Sequence, residues 1–441
     1  MSCHAYYEFG TDDVGVLHVV ADAVPLTPTR TAIYFSIDCS GSMDDTCKDG
    51  RTKMHHIQHT LRNILRFLIH KQTDTSVHIV GFDHNVTPLT ETFQTCDEAL
   101  VARVDDLYPN GLTNLEQALE HAHGVVEQFR VQHPDVAVYH ILMTDGCPTA
   151  GAKCIDDFAI PWNCPTFFVG FGEEHDNVLL SHLAEAVPRQ EGRFQFIDEV
   201  EHASIVYGEL LHQILYPCCS SRVLYVEGME VYHWQTNTWT RDVVLPPLAG
   251  EEHKLLHLRA VPDAAERRRA YVTDTDGTFV DEVDALPALV NMETGETVAT
   301  DMTPYQFRQE TLALLFQVNR IHSANMPRTR RRREHPIKQH LWDHFNRMKA
   351  YTCDDPQMRT FVKVLMDDVY IAMTGLHHDR GHLYSQARQR SQGAQSAYMA
   401  SPQRSQDDSS TYYLSEHLDN THVSPLLTQT IDALSQTTIL R

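Results

Sequence analysis

The stretch "SIDCSGSMDD", from Ser36 to Asp45, sets a carboxylate and two hydroxyls on alternate positions, Asp38, Ser40 and Ser42, directly after the apolar run "TAIYF". Such a pattern suits a serine nucleophile, a phosphate cradle, a metal site or a plain polar turn. A serine hydrolase of the elbow type needs Gly-x-Ser-x-Gly, which "CSGSM" does not supply, and no His/Asp partner can be nominated. A phosphate loop of the Gly-x4-Gly-Lys-Ser/Thr type is also absent. Thr113 in "LYPNGLTNLEQAL" and Asp145 in "YHILMTDG" extend the donor set. All five are hard oxygen ligands without sulfur or imidazole, the chemistry that favours Mg²⁺ first, with Mn²⁺ or Ca²⁺ as alternatives.

The surrounding elements decide whether these residues can meet. Near-continuous apolar runs at 31–37, 75–82, 136–144 and 165–172 read as strands buried on both faces. Between them, Ile57, Leu61, Ile64, Leu65 and Leu68 recur at helical spacing, as do Leu115, Ala118, Leu119, Ala122 and Val126. Strands alternating with helices predict an α/β, doubly wound, mostly parallel Rossmann-like sheet with right-handed crossovers. Asp38 ends one strand, Asp145 ends another, and Thr113 precedes a helix, so all three loops fall on the carboxyl edge where such sheets bind ligands.

Asp-x-Ser-x-Ser after an apolar strand, then a threonine loop and a strand ending in Asp-Gly, resembles a von Willebrand factor A (vWA) domain over residues 28–216. The resemblance implies that Asp38, Ser40, Ser42, Thr113 and Asp145 form a metal-ion-dependent adhesion site. It further implies that the hydroxyls bind the ion directly and the carboxylates bind directly or through water. An acidic side chain of a protein partner would then complete the coordination. One departure is "NGLTN", where Leu112 stands in place of the second glycine of many relatives.

The rest of the chain changes character. Residues 217–302 carry short β-type runs between Pro, Gly and Asp turns, and residues 303–375 are helical in period, with Thr303-Pro304 and Asp355-Pro356 as helix starts. The segment 1–27 contains "VGVLHVVADAV", a strand that can join the later β unit in a sandwich interrupted by the α/β domain. Residues 376–441 are rich in Ser, Gln, Arg and Asp and are expected to be largely disordered. This layout is similar to plant-type RING-finger proteins with a vWA domain, but no cysteine/histidine array for a RING exists here, so their ligase activity does not carry over.

With 36 basic against 59 acidic residues the formal charge is -23, which argues against generic binding to nucleic acid or to an anionic membrane. No apolar stretch is long enough for a membrane span, and the start has no secretory pattern. Ten scattered cysteines without a Cys-x-x-Cys pair read as reduced thiols of an intracellular, cytoplasmic protein. Arg328 to Arg333 reads as a solvated loop, with nuclear import as the alternative, and His377, His378 and His382 as chance clustering among 28 histidines. The expected function is metal-dependent binding of a protein partner through its acidic residue, with no enzymatic activity. The alternatives are a RING-less adaptor of a ubiquitin-ligase pathway or an assembly component of a large particle.

Overall fold

The structure, a computed structural model, describes residues 3–10, 13–23, 30–47, 49–71, 73–198, 203–262, 268–286, 289–290, 297–298, 300–323, 335–376, 381–398, 400 and 424–437. It divides into two compact units. One comprises residues 1–22, 221–245 and 251–424; the other comprises 23–220, 246–250 and 425–441.

The second unit is built on a seven-stranded sheet. Its strands are β3 (Thr31–Asp38), β4 (Thr75–Phe82), β5 (Val86–Pro88), β6 (Gln94–Thr95), β7 (Ala137–Thr144), β8 (Thr166–Phe171) and β9 (Arg193–Ile197). The order is β5-β4-β3-β7-β8-β9, with β6 also paired to β4. β4, β3, β7, β8 and β9 run parallel, while β5 and β6 are antiparallel additions at one edge, so the sheet is mixed. Every residue of β3 is buried. That explains its unbroken apolar run, since a central parallel strand is covered on both faces by helices. The helices are α1 (Lys53–His70), α2 (Glu98–Arg103), α3 (Leu115–Gln132), α4 (Asn177–Ala186) and α5 (Ala203–Leu215). The periodic positions read from sequence, Ile57, Leu61, Ile64, Leu65, Leu68 on α1 and Leu115, Ala118, Leu119, Ala122, Val126 on α3, are all buried. Because β4 lies on one side of β3 and β7 on the other, the chain changes direction of progression at β3, and a crevice opens there at the carboxyl edge. A short ribbon of β10 (Pro217–Cys219) and β15 (Leu248–Ala249) completes the strands of this unit.

The other unit holds a nine-stranded sheet. Its strands are β1 (Cys3–Phe9), β2 (Val14–Ala21), β11 (Arg222–Glu227), β12 (Met229–His233), β13 (Thr238–Thr240), β14 (Asp242–Leu245), β16 (His253–Ala260), β17 (Arg269–Asp274) and β18 (Phe279–Ala285). β2 pairs with β16 and β1 with β18, so the N-terminal hairpin lies inside the later β unit, in one continuous hydrogen-bonded path rather than two separate sheets. β19 (Leu289–Val290) and β20 (Thr297–Val298) form a separate pair. Helices α6 (Thr303–Ser323), α7 (Ile337–Ala350) and α8 (Pro356–Gly375) share a core that includes Phe307, Leu315, Leu341, Phe345, Leu365 and Val369. Asp355 caps α8 by accepting from the Gln357 N–H, and Pro356 takes the first helical position.

Within residues 376–441, the described parts include two helices where disorder was expected. α9 (Gly381–Ala394) belongs to the first unit and α10 (Pro425–Thr437) to the second. Composition misled at α9 because Arg388 and Gln392 are buried and hydrogen-bonded rather than solvated. Arg388 Nη1 meets Asp368 Oδ1 at 3.0 Å and Gln392 Nε2 donates to Asp368 Oδ2 at 2.7 Å. Cys3 and Cys219 are disulfide cysteines, which corrects the reading of uniformly reduced thiols. Arg328 to Arg333, with His377 and His378, lie outside the described residues. Among the described residues no helix is long and apolar enough to cross a membrane.

α10 packs on α5 at Gly208, where an added Cβ would stand 2.6 Å from Ile431 Cγ1 and 3.2 Å from its Cα. Gly208→Val should therefore lower stability by about 1–3 kcal/mol by overpacking. Ile431→Ala in the same chain should recover part of the loss in thermal melts.

Candidate metal centre

Asp38 and Asp145 lie at the ends of two neighbouring parallel strands, β3 and β7, and both are fully buried. Each carboxylate is held by named donors. Asp38 Oδ1 accepts from the Ser40 backbone N–H at 2.8 Å, and its Oδ2 accepts from the Thr144 hydroxyl at 2.5 Å. Asp145 Oδ1 accepts from Ser42 Oγ at 2.9 Å, and its Oδ2 from Lys53 Nζ at 2.7 Å. The two serine oxygens lie 3.1 Å apart. A Cβ at Gly146 would stand 3.5 Å from Ser42 Oγ and 3.8 Å from Thr113 Oγ1, so the threonine hydroxyl faces the same space. The structure thus brings all five sequence-nominated residues to one crevice.

Backbone contacts hold the three loops together. The Asn110 N–H donates to the Cys39 carbonyl at 2.6 Å, and the Gly41 N–H to the Gly111 carbonyl at 3.2 Å. These bonds fix the threonine loop against the serine loop. Thr113 is clamped from the far side, its N–H donating to Thr149 Oγ1 at 2.8 Å while its carbonyl accepts from the Thr149 and Ala150 N–H groups. Leu112, the departure from the Gly-Gly pattern, causes no obstruction because its side chain points outward and is 52% exposed. The left-handed backbone is carried by Gly111 alone, at φ +69.

The donor chemistry fits a hard divalent cation. Two carboxylates and three hydroxyls converge, and buried carboxylates without compensation are costly. Burial, joined by the negative charge of Asp145, pushes Asp38 up to about 6 against the opposing bond from Thr144. A cation beside both groups would reverse that pressure, because it favours the ionised forms. Serine or cysteine nucleophilicity finds little support. The serine hydroxyls have carboxylate or hydroxyl neighbours and no imidazole, and burial first, then Asp38, pushes the Cys39 thiol up to about 12.

Several contributing residues were not apparent from sequence. Thr144 reads simply as the last residue of a strand, and Glu174 as part of an acidic loop. Lys53 is the most consequential, since its ammonium reaches Asp145, Asp45 at 3.4 Å and Glu174 at 3.5 Å. Burial pulls its pKa down, but Asp145, Glu174 and Asp45 together outweigh that effect and hold it above the ordinary lysine value. The signal available in sequence was a lysine at the first position of a helix, where an acidic residue is favoured.

Gly111 gives this geometry a direct check. Its left-handed φ opposes any side chain, and a Cβ added there would collide with His84 Nδ1. Gly111→Ala should cost about 1–3 kcal/mol of stability and shift the threonine loop, measured by denaturant melts and by the backbone amide signals of residues 110–114.

Residues 32–205 match the family model described as von Willebrand factor type A domain. No curated protein matches the chain. Among solved structures, the chain is similar to von Willebrand factor type A from Catenulispora acidiphila at a TM-score of 0.51 and 15% identity, covering 84% of this chain and 89% of that one. It is also similar to the ArnB paralog VWA2 from Sulfolobus acidocaldarius, at a TM-score of 0.45 and 13% identity, covering 88% of this chain and 97% of that one. For the PilB minor pilin from Streptococcus sanguinis the TM-score is 0.36 and the identity 14%, covering 48% of this chain and 78% of that one. Domains of this type generally mediate protein–protein interactions. The chain therefore carries a von Willebrand factor type A domain at residues 32–205.

Proposed function

We propose that the vWA domain is a metal-dependent protein-binding module that captures an acidic side chain of its partner, and that it is not an enzyme. The observation that carries this reading is the convergence of Asp38, Ser40, Ser42, Thr113 and Asp145 at the carboxyl edge, with both carboxylates fully buried. These five residues would hold Mg²⁺, with Mn²⁺ or Ca²⁺ as substitutes. When bound, the ion supplies a Lewis-acidic position that an incoming carboxylate can occupy. The protein's own residues do the rest. Ser40 and Thr144 orient Asp38, Ser42 orients Asp145, and the clamp of Thr149 on Thr113 holds the third loop in place.

The rim of the crevice supports a macromolecular partner. Tyr108 and Leu112, which precede Thr113 in its loop, are 69% and 52% exposed. Apolar side chains exposed on the loop that carries Thr113 suit a partner whose acidic residue is flanked by an aliphatic or aromatic one.

Affinity purification from wild type, Asp38→Ala and Asp145→Ala, with Mg²⁺ or with EDTA, tests the reading. Partners are expected only with wild type in Mg²⁺. Retention of the same partners in EDTA and in both variants would sink it. Leu112→Ser should weaken capture of those partners roughly tenfold, about 1.4 kcal/mol, while leaving Mg²⁺ affinity unchanged in calorimetry.

A further inference from the structure

Lys53 stands where helix electrostatics would not place it. It is the first residue of α1, and no acidic residue occupies that first turn. The free N–H groups there carry partial positive charge, which disfavours an ammonium group. Its backbone is nonetheless firmly placed. The Lys53 N–H donates to the Asp45 carbonyl at 3.0 Å, and Thr46 pairs with Thr52 in an antiparallel bridge that closes the intervening loop. The side chain, 12% exposed, then meets carboxylates from three different loops. Asp145 at 2.7 Å is fully buried, whereas the side chains of Asp45 and Glu174 are 60% and 65% exposed. The contact with Asp145 is thus the strong one, and solvent screens the other two.

We propose that Lys53 is a tethered counter-cation that sets the charge balance of the metal centre, so that metal and acidic ligand bind cooperatively. This rests on the metal-binding reading given above. Asp38 and Asp145 alone would neutralise a divalent ion and leave it little pull on a further anion. Counted over the two buried carboxylates, the ion and the Lys53 ammonium leave a net positive charge that attracts a carboxylate, while solvent screens the exposed Asp45 and Glu174. The same ammonium repels the divalent ion and competes with it for Asp145 Oδ2, so the ion is held weakly until an acidic ligand arrives. By reciprocity, each of the two ligands then raises the affinity for the other.

The test uses the full chain as wild type, Lys53→Met, Lys53→Gln and Lys53→Arg, with folding monitored by circular dichroism in EDTA. Mn²⁺ alone is titrated by calorimetry and electron paramagnetic resonance. Acetate is then titrated at saturating Mn²⁺ through the relaxation of its methyl protons. Both neutral variants should bind Mn²⁺ about tenfold more tightly and acetate severalfold more weakly, while Lys53→Arg should behave like wild type. Unchanged or weaker Mn²⁺ binding in a folded neutral variant overturns the proposal. Lys53→Gln keeps a hydrogen bond to Asp145 and carries the test if Lys53→Met does not fold. If neither neutral variant folds, Lys53 is structural and the proposal is overturned. A wild type that binds no Mn²⁺, or binds it equally after Asp38→Ala, instead overturns the metal reading itself.

Discussion

Two carboxylates, Asp38 and Asp145, end neighbouring strands of a parallel sheet and have no exposure to water. Much of the site's local architecture can be understood as a response to that placement. A parallel sheet collects its loops on one edge, and the change of direction at β3 opens a crevice there, so residues at the ends of β3 and β7 meet whatever their identity. Once both are aspartate, desolvation and mutual repulsion must be offset. Neutral donors supply part of the answer: the Ser40 N–H and the Thr144 hydroxyl on Asp38, and the Ser42 hydroxyl on Asp145. Hydrogen bonds from neutral groups do not supply charge, and burial still drives Asp38 up to about 6. The remaining demand is for a cation.

Lys53 answers that demand for one carboxylate and leaves the other. Its ammonium lies on Asp145 Oδ2, while the partners of Asp38 are neutral. A lysine on a four-carbon stem is a point charge with rotatable donors, able to shift among Asp145, Asp45 and Glu174 without any backbone movement. A neutral residue would have left Asp145 charged and uncompensated in the interior. The trailing acidic residues of "SIDCSGSMDD" gain a role in this arrangement. Asp45 holds the helix start through its carbonyl and meets the ammonium through its carboxylate, whereas Asp44 is simply exposed.

What the sequence made legible follows from which properties are local. The strand runs at 31–37 and 75–82 announce themselves because a doubly covered strand needs apolar residues at every position. The five oxygen donors were readable because their types and their positions after strands or before a helix are local facts. Lys53 was not readable as a site residue. Its placement depends on the Thr46–Thr52 bridge and on a side chain long enough to reach three loops. Thr144 was hidden because a threonine at a strand end is ordinary β composition. The helix at Gly381–Ala394 was missed for a related reason. Arg388 and Gln392 look solvated until Asp368, buried on a different helix, is there to receive them.

Chain order adds a further constraint. β2 pairs with β16 through Val20 and His253, and β1 with β18 through Tyr6 and Asp284, so the nine-stranded sheet joins segments that flank the whole vWA domain in sequence. Such pairing closes a very long loop, and loop-closure entropy makes it slow while the intervening chain is unfolded. The strands and helices between β3 and α5 make their contacts over much shorter separations. Their prior folding would shorten the effective loop, since β3 begins and α5 ends a body already compact. α10 is the exception, because it meets α5 at Gly208 from the far end of the chain. The vWA sheet and its candidate metal centre therefore form from local contacts, while the helix that covers Gly208 can be added only after residues 425–437 are made. A binding crevice assembled wholly from residues 38–174 gains from that order, since none of its parts waits on a distant segment.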